Sequence, residues 1–156
     1  MSDVNAFEIV SVPYDDFDVG EEYAQLAQGT QAGAIVTFVG KVRDMNLGDD
    51  VTGLSLEHYP GMTERSLINI CEQAKQRWPL LNIRVIHRVG ELDLGDQIVF
   101  VGVSSAHRSA AFEACEFVMD YLKTQAPFWK KERTGDGARW LESRDCDAKA
   151  AERWSK

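Results

Sequence analysis

The chain has 156 residues, 44% hydrophobic and 27% charged, with a formal net charge of −8, a composition that supplies one core and predicts a single domain over residues 1–156. The negative charge is concentrated: Asp3, Glu8, Asp15, Asp16, Asp18, Glu21 and Glu22 fall within residues 1–40, which hold no Lys or Arg, while the other 116 residues carry 18 acids against 17 bases. There is no basic domain for nonspecific nucleic-acid binding, no apolar run of membrane-spanning length and no signal-peptide pattern in MSDVNAFEIV, so a cytoplasmic protein is expected.

From the N-terminus, Phe7 to Val12 alternates like a strand, and Asp18 with Glu21 three residues on forms a capping-box pattern opening a short helix through Ala27. After Gly33, AIVTFVG is an apolar run that predicts a central strand. The chain leaves it through Gly40-Lys41-Val42-Arg43-Asp44 into a polar loop containing Asn46, Gly48, Asp49 and Asp50. A rigid sheet positions loops at its strand ends, which makes Lys41 and Arg43 candidate anion contacts; the competing reading is a solvated loop pair. Val51 to Tyr59 has period-two character, with Leu54 and Leu56 on one face, and stops at the turn Pro60-Gly61. Thr63 to Trp78 reads as an amphipathic helix, with Leu67, Ile70, Cys71, Ala74 and Trp78 on its apolar side and Pro79 behind it. Ile83 to Val89 and Gln97 to Ser104 are two further strands, joined through Gly90 and Gly95-Asp96.

The second of these strands runs directly into SSAHRSAAFEACEFVMDYLKTQAPFWKK, from Ser104 to Lys131. Phe112, Cys115, Met119 and Leu122 recur at helical spacing and predict a helix buried along one face. Its N-terminus, with His107 and Arg108, offers unpaired N–H groups and a partial positive charge suited to a phosphate. Ser105 as a cap and Arg108 as a solvated residue form the alternative. Pro127 ends the helix near Thr124 or Gln125. Lys123 in its last turn fits a complement to the helix dipole as well as a reacting cation. Any meeting of Lys123 with Lys130 must come from the fold, because the helix breaks between them. Phe128 to Arg133 and Ala138 to Glu142 flank Gly135-Asp136-Gly137 as a hairpin, and a short helix from Asp147 to Trp154 closes the chain. Strands and helices interleave, with several strands in direct succession, so the fold class is α+β.

Cys71, Cys115 and Cys146 are far apart with no C-x-x-C, and His58, His87 and His107 are equally scattered, so neither a disulfide framework nor a metal site is expected. Cys71 and Cys115 fall on predicted apolar helix faces, and Cys146 lies between Asp145 and Asp147, so none reads as a carrier of transferable sulfur.

At FVGKVRD (38–44), LEHYPGMTE (56–64), HRVGEL (87–92), VFVGVSSAHR (99–108) and MDYLKTQAPFWKKE (119–132) the sequence resembles the MoaE family, the large catalytic subunits of molybdopterin synthase. The resemblance runs from about Val19 to Trp154. It implies an α/β-hammerhead fold with an additional antiparallel β-subdomain, a dimer of this chain, and a small ubiquitin-like subunit docked at each end to form a heterotetramer. That partner ends in a Gly-Gly thiocarboxylate and donates sulfur. The implied reaction adds two dithiolene sulfurs to cyclic pyranopterin monophosphate and opens its cyclic phosphate to give molybdopterin, with no further cofactor. Carried over to matching positions, substrate contacts fall on Lys41, Val42, Arg43, His107, Arg108, Lys123, Lys130, Lys131 and Glu132, with Lys123 and Lys130 as the catalytic pair. Fixed cations suit a reaction between two anions, and a lysine beside an activated acyl tail is open to acylation. A non-catalytic pterin-phosphate binding module and a scaffold for a ubiquitin-like protein are the alternatives from other functional classes.

Overall fold

The computed structural model describes residues 9–46, 48–135, 137–141 and 145–155. Of the expected first strand, Phe7 and Glu8 lie outside these residues; what is described is β1 (Val10–Ser11), pairing in parallel with β5 (Leu80–His87). β5 pairs antiparallel with β7 (Gln97–Ser105), and β7 with β2 (Ala34–Lys41), giving the order β1-β5-β7-β2. β2 was expected at the centre and is instead at the edge, with Thr37 and Phe38 exposed. The interior strands are β5 and β7, whose Ile83, Val85, Val99, Val101 and Val103 face one side and Ile86 and Phe100 the other. An apolar run tells how much of a strand is buried, not which neighbours bury it.

Two helices cover the first face. α2 (Met62–Arg77) contributes Leu67, Ile70, Cys71 and Ala74, and α3 (Arg108–Gln125) contributes Ala111, Ala114, Cys115, Phe117, Val118 and Leu122. Of the predicted stripe on α3, Cys115, Met119 and Leu122 reach the core, but Phe112 is 61% exposed, and the small Ala111 and Ala114 face the sheet, where they let the helix approach closely. Each large core side chain, Phe117 among them, contributes about 1.5–3 kcal/mol by leaving water. On the other face lies α1 (Val19–Leu26), capped by Asp18, whose carboxylate accepts from the Glu21 N–H at 3.1 Å. Leu26 reaches the sheet over Gly102, where a Cβ would collide with the Leu26 side chain.

The second sheet is antiparallel throughout. The expected polar loop after β2 carries β3 (Met45–Asn46), which turns back onto β4 (Asp49–His58). β4 pairs with β6 (Gly90–Asp93), a strand the sequence reading takes as a connection, and with β8 (Phe128–Thr134), which pairs with β9 (Gly137–Leu141). Asp136 and Glu142 of the expected hairpin lie outside the described residues. Val42, Leu54, Leu56, Val89 and Leu92 form the core under this sheet, and Phe128 packs against both this cluster and the larger one. The helix at the C-terminus, α4 (Asp145–Glu152), starts and stops two residues earlier than expected, and Trp154 beyond it meets Trp78 and Phe117 edge to face.

The acidic N-terminal segment has a structural role in the part described. Glu22 pairs with Arg84 at 3.0 Å, and Arg88 donates to the Tyr14 carbonyl and to that of Gln97. Gln97 in turn donates to Asp16 at 2.9 Å. Acids and carbonyls of residues 14–22 thus satisfy two buried arginines of the sheet region, which would otherwise be costly. Among the described residues no helix is long and apolar enough to cross a membrane.

Candidate functional site

α3 carries a cationic group at each end. At its start β7 enters the helix with a single residue, Ala106, between Ser105 and His107, the N-cap. Ser105 does not cap the helix: its hydroxyl accepts from the His107 N–H at 3.2 Å and donates to the Pro79 carbonyl at 2.9 Å. Gly33 lies against this link, its N–H donating to the Ser105 carbonyl at 3.0 Å, where a Cβ would collide with the Ala106 carbonyl oxygen. His107, Arg108 and Ser109 are exposed, and the first turn holds no acid. The dipole and Arg108 therefore act with the same sign toward an anion.

At the other end the helix stops at Gln125, Ala126 takes an extended conformation before Pro127, and β8 starts at Phe128. On either side of this short link, Lys123 and Lys130 both act electrostatically on one buried ring, His87, the last residue of β5. Burial above all pushes the His87 imidazole down to about 3; the hydrogen bond to the Arg88 carbonyl opposes the shift, and the charges of Lys130, Lys123 and His58 add to it. Because a carbonyl only accepts, the 2.9 Å contact fixes Nδ1 as the donor and leaves the lone pair on Nε2. The His87 ring stacks on Phe128, with centroids 3.8 Å apart, and His58 stacks more distantly on the same ring at 6.5 Å. Lys123 is exposed and Lys130 half-buried.

Strand alternation divides the remaining residues. Lys130 and Glu132 share the Phe128 side of β8, whereas Lys131 faces the other way, its ammonium 5.3 Å from the centre of the Trp140 ring. Glu132 is buried and accepts from Arg139 Nη2 at 3.0 Å and Nε at 3.2 Å. Val42 is a core residue; its N–H donates to the Asp96 carbonyl and its carbonyl accepts from Gly95, which anchors the exposed Lys41 and Arg43 on either side of it. The core cluster that holds Val42 also meets Phe128, so the β2 exit and the β8 start border one region. His107 and Arg108 do not join it. Arg108 and Lys123 are fifteen residues apart on one helix, about 22 Å at 1.5 Å per residue.

A family model described as MoaE protein matches residues 12–125. This chain belongs to the MoaE family. It is 70% identical over 145 residues to the molybdopterin synthase catalytic subunit of Vibrio cholerae serotype O1, covering 93% of this chain and 97% of that one. With the molybdopterin synthase catalytic subunit of Escherichia coli K12 it shares 63% over 138 residues, covering 88% and 92%. Among solved structures, the molybdopterin biosynthesis MoaE protein of Burkholderia ambifaria matches with a TM-score of 0.81 at 48% identity, over 96% of this chain and 99% of that one.

Within this MoaE chain the sequence reading passed over His58, His87 and Phe128 as components of the lysine region. Two of the quoted motifs contain the histidines and a third contains Phe128, but no spacing links them, since β4 and β8 pair in one sheet, β5 belongs to the other, and His87 reaches Phe128 only by side-chain packing. Among the described residues, no group of three or more His, Cys, Asp or Glu is gathered to hold a metal ion.

Proposed function

We infer that this chain is the catalytic subunit of a molybdopterin synthase, a sulfurtransferase that converts cyclic pyranopterin monophosphate into molybdopterin. The observation that carries this reading is the near end-to-end 70% identity with the Vibrio cholerae catalytic subunit. The sulfur donor is a small ubiquitin-like subunit ending in a Gly-Gly thiocarboxylate. Its sulfur forms a bond to a side-chain carbon of the pterin substrate as a C–O bond at that carbon breaks and the oxygen leaves, water then cleaves the resulting thioester at the partner's carbonyl carbon, and the tail leaves as an ordinary carboxylate. A second such transfer completes the dithiolene, and the cyclic phosphate opens.

Both reactants are anions, so the protein must hold cations in place before they meet. Arg43, His107 and Arg108 bind the phosphate and pterin, the guanidinium groups offering two-pronged donor geometry to phosphate oxygens. Lys123 acts in the chemical step, stabilising the intermediate between thiocarboxylate and pterin, and Lys130 assists. Their shared influence on His87 supports treating them as one cationic region. Lys41 adds charge at the β2 exit, and Val42 contributes through the backbone it anchors. Glu132 acts through the hairpin that carries Lys130, while Lys131 serves the opposite face of β8. Because about 22 Å separates Arg108 from Lys123, both ends of α3 serve one ligand only when a second copy supplies His107 and Arg108. The working assembly is accordingly a dimer of this chain, in the cytoplasm, with a small subunit at each end.

The test is to incubate the purified chain with the cyclic substrate and the partner in thiocarboxylate or carboxylate form. Conversion only with the thiocarboxylate is expected. Binding of the substrate without conversion would instead indicate a pterin-phosphate binding module, and partner binding without substrate binding a scaffold.

A further inference from the structure

His87 is a polar side chain placed where a core would ordinarily take an apolar one. It is 2% exposed, and its Nδ1–H is satisfied locally by the Arg88 carbonyl, so the cost of burying the imidazole is largely offset. Its ring lies nearly parallel to that of Phe128, at 3.8 Å and 19°. Phe128, with Val12 and Ile98, packs against both core clusters, and only Ala126 and Pro127 separate it from the end of α3. The Thr63 hydroxyl of α2, which donates to the Tyr59 carbonyl at 2.9 Å, lies 3.4 Å from the Pro127 carbonyl oxygen, which sets the same link against α2. Lys123 precedes Phe128 by five residues and Lys130 follows it by two. The position of the Phe128 ring therefore sets where β8 begins relative to the last turn of α3, and with it the separation of the two ammonium groups.

We propose that His87 is a positioning residue for sulfur transfer: its ring, fixed to the Arg88 carbonyl and stacked on Phe128, holds the start of β8 so that Lys130 stands beside Lys123. The proposal rests on the reading of those lysines as cations of the reacting site. A neutral ring suits this place because a third positive charge would oppose both lysines. The charged and titratable groups acting on it are Lys123 from α3, Lys130 from β8 and His58 from β4, and burial keeps its own proton off Nε2. Positioning of this kind acts on the rate of the bound state: a displacement of about 1 Å costs up to roughly 100-fold.

The experiment measures single-turnover conversion of cyclic pyranopterin monophosphate by the full chain with its thiocarboxylated partner. Substrate and partner affinities are determined separately. His87→Gln keeps a donor but loses the ring, Phe128→Leu removes the stack from the other side, and His87→Phe keeps a ring on Phe128. Each variant is melted first and assayed well below its midpoint. The first two are expected to lose about 10- to 100-fold in rate at saturation, with both affinities within about twofold of wild type, and His87→Phe to recover most of the rate. Should His87→Gln fail to fold, Phe128→Leu and His87→Phe carry the decision. Wild-type rates in the folded ring-removing variants, or a His87→Phe no better than His87→Gln, overturn the proposal. Lys123→Ala is run beside them: if it keeps the wild-type rate, the reading of the lysines fails, whereas its loss together with wild-type ring variants sinks only the positioning role of His87.

Discussion

Glu132 and Arg139 face each other across the β8–β9 hairpin as direct register partners, and Arg139 places two guanidinium nitrogens within 3.2 Å of one Glu132 oxygen. The carboxylate is almost fully buried while the guanidinium is about one-third exposed, so the pair loses more from removal of the acid's partner than an exposed pair would. Arg139→Ala, which leaves the buried carboxylate without this counter-ion, is expected to lower stability by about 1–3 kcal/mol. Glu132→Gln is expected to cost less. Urea unfolding of both, with substrate affinity measured alongside, checks the assignment: a Glu132→Gln that weakens substrate binding at unchanged stability would return Glu132 to direct substrate contact.

Lys123→Ala separates a reacting group from a complement to the helix dipole. The dipole role is worth about 0.3–1 kcal/mol, and because Lys123 is exposed the variant should fold and bind its partner normally. A loss of several orders of magnitude in single-turnover rate is expected. A fall of less than about tenfold, equivalent to roughly 1.4 kcal/mol of barrier, would show that the chemical step does not depend on it.

Arg43 and Arg108 stand at the exit of β2 and the start of α3, and both are exposed. Replacing either with Ala should weaken binding of the phosphorylated pterin by about 1.5–3 kcal/mol, the usual worth of a hydrogen bond to a charged group. Calorimetry on the two variants decides: unchanged affinity in both removes the anion site.

Cys71 and Cys115 are buried, and burial pushes both thiols up to about 12, far from the exposed, low-pKa thiolate that sulfur relay requires. The side chain of Cys146 lies outside the described residues. Replacing all three with Ala should leave product formation intact when the partner carries a thiocarboxylate, at a stability cost of about 1 kcal/mol per core site. Loss of activity in a folded cysteine-free chain would mean that this chain carries the sulfur itself.

The depressed His87 makes stability depend on pH. Its unfolded value is near 6.5 and its folded value about 3, so below pH 6.5 the unfolded chain takes up a proton that the native state refuses. Stability from this group is therefore complete above pH 6.5 and falls by about 1.4 kcal/mol per pH unit on acidification toward 3. Asp16, held low chiefly by its hydrogen bond from Gln97, begins to lose its contribution only as the pH falls below the ordinary aspartate value of 3.8. Urea midpoints of the wild type and His87→Phe between pH 4.5 and 6.5 isolate the histidine. A steeper loss in the wild type is expected; identical slopes would show that His87 is not buried neutral.

Features governed by a few neighbouring residues were legible in the sequence. Asp18 caps α1, Pro127 ends α3 at Gln125, and β8 pairs with β9 as a hairpin, because cap geometry, proline sterics and short connections act within a few residues of chain. Leu54 and Leu56 face the core, as strand alternation requires. The ordered motifs carried the family, since many positions together specify far more than one. What depended on distant pairing was hidden: β2 sits at an edge, β6 is a strand against β4, and Phe112 faces solvent while Ala111 and Ala114 face the sheet. The lysine region belongs to this second class. Lys123 lies beyond a helix break from Lys130, and His87 comes from a strand more than thirty residues earlier. Periodicity along the chain reports which side of an element is apolar, but only the packing of β4, β5, β8 and α3 around Phe128 determines which charged groups act on the same buried ring.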